Sequence, residues 1–119
     1  MDRRKYDLEE RLIRFSVQII KLVDILPNTK AGNSIGSQIV RSGTSPALNY
    51  GEAQGAESRK DFIHKLKIVL KELRETNVCL RIIEGAELCI DTELLSSLKS
   101  ESVELISIIV KSIKTTEQK

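Results

Sequence analysis

Leu8, Leu12, Phe15, Ile19, Leu22 and Leu26 recur at alternating steps of 4 and 3. Side chains at that spacing share one face of a helix. The pattern predicts a helix over 8–26, with Asp7 and Glu10 resembling a capping box and Pro27 as its stop. Ile13, Val17, Ile20 and Val23 add a second apolar edge. One bundle seam does not need so wide a face, so the extra width points to a subunit interface.

Phe62, Leu66, Val69, Leu73, Thr76, Leu80 and Ile83 form an equally regular stripe. It predicts a helix over 58–84, opened by Ser58 with Asp61 and closed by Gly85. A last helix over 92–115, starting near Asp91 or Thr92, has Leu95, Leu98, Ser102, Leu105, Ile109 and Ser112 as its inner face. Ile106, Ile108, Val110 and Ile113 widen that face, as on the first helix.

The segment from 33 to 55 carries a different pattern. Its start is expected near Asn33 or Ser34. Gly36, Ser37, Ser42, Gly43, Ala47 and Gly51 are mostly poor helix formers but allow neighbouring backbones to come close. Pro46 removes an amide donor and is expected to bend or break the helix. Arg41 is the only charged residue between Ala31 and Gly51. Gln38, Arg41, Ser45, Asn49 and Glu52 nonetheless fall on one helical face, a polar stripe on a segment expected to be buried. It reads either as an internal hydrogen-bond network or as a ligand or partner site. The network is the preferred reading. Arg41 and Glu52 are three turns apart, so each needs a partner on another helix or subunit.

Four amphipathic helices with short connections predict an all-α, antiparallel up-down-up-down bundle forming a single domain over 1–119. The alternative is a pair of helical hairpins that completes its core only in an oligomer. Composition agrees with an all-helical chain. Hydrophobic residues make up 40% but aromatics only 3%, so the core rests on Leu, Ile and Val. Cys79 and Cys89 form no metal-binding spacing and are expected to be idle thiols in a reducing cytoplasm. Neither a signal peptide nor a membrane span is expected.

Net charge is +2, too even to mark a nucleic-acid binder by itself. Its distribution is less even: residues 58–85 carry 7 basic against 4 acidic groups. Lys60, Lys67, Lys71 and Arg74 lie along one side of the third helix, flanked by Lys65 and Arg81. Such a row can neutralise phosphates and release counterions. Arg3, Arg4, Lys5, Arg11 and Arg14 of the first helix are candidates to extend it. Against this reading, Glu72 and Glu75 sit beside the row and can pair with it, and few aromatics are present to stack on bases.

Enzymatic chemistry finds little support. His64 is the only histidine, whereas bundle di-metal sites draw Glu-x-x-His from two helices. No Walker pattern or Cys–His nucleophile spacing occurs. No enzyme activity, cofactor or metal is expected.

Taken in order, Leu26-Pro27, Gln38-Ile-Val-Arg41-Ser42, Ser45-Pro-Ala-Leu-Asn49-Tyr-Gly-Glu52, Asp61-Phe62 and Glu72-Leu-Arg-Glu75-Thr76 resemble a bacterial four-helix-bundle family. Its founding members are encoded by intervening sequences within large-subunit ribosomal RNA genes. The accessory protein of diversity-generating retroelements is similar. The resemblance spans about residues 8–115 and implies a barrel-shaped homopentamer with no known enzymatic activity. Those retroelement relatives bind nucleic acid and a reverse transcriptase through a strongly basic surface. This chain departs from them in its nearly balanced charge, in Val40 before Arg41, and in Gly51 where alanine is common. The resulting expectation is a cytoplasmic, non-enzymatic, oligomeric accessory protein that contacts RNA or DNA through the third helix. The alternative is a protein-only scaffold without nucleic-acid affinity.

Overall fold

The computed structural model describes the backbone of residues 3–119 and the side chains of residues 8–119. It contains four α-helices in chain order: α1 (Arg3–Asp24), α2 (Lys30–Ala53), α3 (Arg59–Gly85) and α4 (Thr92–Glu117). No strand occurs among the described residues. Close backbone approaches link α1 to α2, α2 to α3, α3 to α4 and, most sparingly, α4 to α1. Paired residues step in opposite directions along neighbouring helices. Arg41 meets Glu75 while Glu52 meets Lys65, and Asn77 meets Ser102 while Lys67 meets Glu117. The helices are therefore antiparallel around one core, in a rod of 47 × 22 × 20 Å.

The core is the set of heptad stripes. Leu12, Ile19, Leu22, Leu66, Leu73, Leu80, Ile83, Leu105 and Ile109 are fully buried. On α4 the inner face departs from the expected pattern at its end. Ser112 is half-buried and Ile113 takes the core position, because a 3.6-residue turn drifts from a strict heptad. Ile106 and Ile108 pack against the core, whereas Ile13, Val17 and Ile20 on α1 stay 44%, 42% and 44% exposed.

Helix ends follow local chemistry. Ser58 accepts from the Asp61 amide and Asp91 from the Leu94 amide, each at 3.0 Å, capping α3 and α4. The start of α2 lies earlier than expected. Thr29 is its N-cap, accepting from Gly32 N, and the helix begins at Lys30. Gly32 belongs to the helix rather than to the connector. A Cβ there would collide with the Pro27 carbonyl, so only glycine lets the first turn fold back on the α1–α2 connection.

Pro46 neither breaks nor interrupts α2, which stays helical from Lys30 to Ala53. Pro46 is buried, and on the same turn Asn49 Nδ2 donates to the Ser45 carbonyl (3.0 Å) and hydroxyl (2.9 Å). Packing and this brace outweigh the lost amide. The start of α1 also lies before the expected Leu8. The capping residue read at Asp7, like Arg3, Arg4 and Lys5, falls outside the described side chains.

Candidate nucleic-acid interface

The core stripe of α3 fixes what its other side must present. With Leu66, Val69, Leu73, Thr76, Leu80 and Ile83 turned inward, Lys60, His64, Lys67, Lys71, Arg74 and Arg81 all lie exposed on the outward side. The steps from 60 to 74 are 4, 3, 4 and 3, the same rhythm as the core. His64 thus stands inside the basic row. At 1.5 Å per residue, Lys60 to Arg81 spans roughly 31 Å.

The carboxylates expected to quench this row point elsewhere. Glu75 Oε2 accepts from Arg41 of α2 at 2.7 Å, and Glu72 Oε2 lies 3.7 Å from the same guanidinium. Glu72 is buried, and its Oε2 has no hydrogen-bond donor among the described residues. Arg41 therefore bridges two acids on the α2 side of α3. In the row itself only Lys67 has an ion pair among the described residues, a 3.7 Å contact with Glu117. Lys60, Lys71, Arg74 and Arg81 have none.

The polar stripe on α2 is not buried, contrary to the expectation from its surroundings. Gln38, Arg41 and Glu52 are exposed, and Ser45 and Asn49 half-buried. The stripe lies along the α2–α3 seam. Arg41 reaches Glu72 and Glu75, and Glu52 accepts from Lys65 Nζ at 2.8 Å, so both find their partners on another helix. The Glu52 carboxylate pushes the Lys65 amine up from its usual range. Lys65 is thereby drawn to the seam and away from the row. The buried side of α2 is made mostly of small residues, Gly32, Gly36, Ser42, Gly43 and Ala53, together with Pro46 and the larger Ile39 and Tyr50.

The polar contacts inside the bundle are ones the sequence reading did not single out. Thr76 and Ser42 hydroxyls hydrogen-bond at 2.9 Å between α3 and α2, with Thr76 Oγ1 2.8 Å from the Glu72 carbonyl. Ser16 of α1 donates to the Leu12 carbonyl at 2.9 Å and approaches the Gly43 carbonyl at 3.3 Å. Their signal was serine or threonine at a core position of a heptad stripe, which Thr76 satisfied.

Arg11 and Arg14 do not extend the α3 row. Arg11 donates to both carboxylate oxygens of Glu101 on α4, at 3.1 and 2.7 Å, and lies 3.6 Å from Glu104. Hydrogen bonding to Glu101 raises its already high pKa further. Arg14 is exposed, but α1 stands diagonally across the bundle from α3. Burial pushes the thiols of Cys79 and Cys89 up, so neither is an activated nucleophile. No group of three or more His, Cys, Asp or Glu converges as metal ligands among the described residues. No helix among them is long and apolar enough to cross a membrane.

The family model described as "23S rRNA-intervening sequence protein" matches residues 4–111, nearly the whole chain. The chain belongs to this family. A solved relative supports the same fold: a protein with unknown function from the S23 ribosomal protein family of Bacteroides thetaiotaomicron VPI-5482. It is 34% identical, with a TM-score of 0.84, over 92% of this chain and 97% of the other. No curated protein matches the chain. In this family member, then, the four-helix architecture is shared with a relative, and the basic face described above is set on that scaffold.

Proposed function

We propose that this 23S rRNA-intervening sequence protein is a non-enzymatic cytoplasmic accessory protein that assembles with itself and binds nucleic acid through the outward face of α3. The observation that carries the reading is the row Lys60, Lys67, Lys71, Arg74 and Arg81, whose neighbouring carboxylates Glu72 and Glu75 are engaged by Arg41. An exposed row with little internal compensation attracts phosphates. The family's link to 23S rRNA makes structured RNA the natural first probe, with duplex DNA beside it.

Self-assembly is supported by Ile13, Val17 and Ile20, which line one exposed side of α1. A second copy covering this stripe would give an oligomeric barrel; a count of five rests on the resemblance alone. The same stripe favours the second reading, a scaffold for proteins only.

The test is binding of nuclease-treated protein to a structured RNA and a DNA duplex at about 50 and 200 mM salt. Affinity should fall steeply with salt. Replacing Lys67, Lys71 and Arg74 by Glu should weaken it on the order of 100-fold while circular dichroism stays unchanged. Absence of binding at the lower salt would leave the scaffold reading in place.

A further inference from the structure

The chemistry of the α3 face narrows the nucleic acid it can hold. We infer that it takes double-stranded nucleic acid, gripping the phosphate backbone without reading bases; this rests on the nucleic-acid reading above. Single strands are held without sequence preference mainly by stacking bases on aromatic rings along a basic groove. The α3 face offers no Phe, Tyr or Trp among the described residues, and one shallow hollow at its start, lined by Arg59, Lys60, His64 and Lys67, rather than a groove along its length. Phe15 and Tyr50 are 2% and 4% exposed inside the core, and Phe62 packs against it from the opposite side of α3. Between Lys60 and Arg81 the outward positions are Lys, His, Lys, Lys, Arg, Val and Arg, so the imidazole of His64 is the single ring in the row, where a strand of successive bases needs several.

Geometry points the same way. A single long helix holds its cations in a fixed array, and the row of roughly 31 Å is close to one turn of a duplex, about 34 Å. A duplex presents phosphates in a similarly fixed array and at high density, near one charge per ~1.7 Å of axis. A flexible strand must be ordered to match the row, with stacking on His64 alone to offset that cost. Lysine predominates, and it meets phosphate as a point charge rather than as a bidentate fork. No Asn or Gln stands in the outward row to read adenine edges.

The experiment compares four probes of about 20 nucleotides by fluorescence anisotropy: two DNA duplexes of unrelated sequence, one RNA duplex, and an unstructured oligothymidine. Both DNA duplexes should bind within about twofold of each other and at least tenfold tighter than the single strand, the RNA duplex also exceeding it. Five phosphate contacts on a B-DNA duplex give a log–log salt slope near −4.5, a loss of roughly 500-fold from 50 to 200 mM. Lys71→Ala should make that slope shallower by about 0.9 per bound subunit. Oligothymidine binding as tightly as the duplexes, or a tenfold difference between the two DNA sequences, overturns the inference. If that binding still weakens in the Lys67, Lys71 and Arg74 charge-reversal variant, the α3 reading survives it. Failure of every probe to bind overturns both.

Discussion

At the residue scale, the end of α3 shows how a local conformation is chosen. Gly85 reads as the stop, yet no glycine among the described residues has a positive φ; Glu87 does, at 55°. The Leu88 amide bonds the Ile83 carbonyl at 3.0 Å and the Glu87 amide the Glu84 carbonyl at 3.1 Å. These are the two bonds of a Schellman motif, with Glu87 at its left-handed position. Leu88 packs against the core that contains Ile83. That hydrophobic contact sets the register, which the glycine two residues earlier does not share. Glu87→Gly should therefore stabilise the protein by about 0.5–1 kcal/mol, read as a raised urea midpoint. A lowered midpoint would mean that the carboxylate contributes more than the backbone strain.

Two glycines of α2 differ in the same way. A Cβ on Gly43 would lie 2.8 Å from Ile19 Cγ2, whereas one on Gly51 would meet nothing within 4 Å. Gly43→Ala should cost about 1–3 kcal/mol by forcing α1 and α2 apart. Gly51→Ala should add up to about 1 kcal/mol through helix propensity alone. Chemical denaturation of the pair checks both signs.

At the scale of elements, α2 is the helix that cannot stand alone. Four glycines and Pro46 fall within its 24 residues, roughly 7 kcal/mol less favourable than alanine at the same positions. Its small residues let α1 come close at Gly43, and its Arg41 and Glu52 lace it to α3. A peptide covering 30–53 should be nearly without helix by circular dichroism in water, while one covering 59–85 shows measurably more. Equal helicity would contradict the view that tertiary packing holds α2. The polar stripe was legible as a face, because its spacing is local. Its exposure was not legible, because a charge-poor segment looks buried when the helices beside it are unknown.

At the scale of the whole molecule, exposed surface divides into two faces of different character. The outward side of α3 is basic; the side of α1 bearing Ile13, Val17 and Ile20 is apolar. Ile20→Asp should lower the mass measured in solution without loss of helix, since Ile20 is 44% exposed in the single chain. An unchanged mass would remove this stripe from any interface. Ile106 does not give the same clean test. It packs against the core, so a charge there strikes the fold as well as any contact between copies. Arg11 and Arg14 looked able to join the basic surface because sequence carries charge but not corner. Once α1 and α3 stand on a diagonal, Arg11 and Arg14 cannot share the face of α3.

By itself the sequence determined the number and type of helices, their inner stripes apart from the end of α4, and the cap at Ser58. Each depends on residues within a turn or two of one another, where spacing and geometry are nearly the same thing. It also determined which side of α3 is basic, since the core stripe leaves only one outward side. Only the tertiary structure decided where Glu72 and Glu75 turn, that Lys65 and Arg11 are engaged by acids on other helices, and that α2 stays helical past Pro46. Those outcomes depend on which helix lies alongside, and the free energy of packing between helices outweighs the local preferences from which a sequence is read.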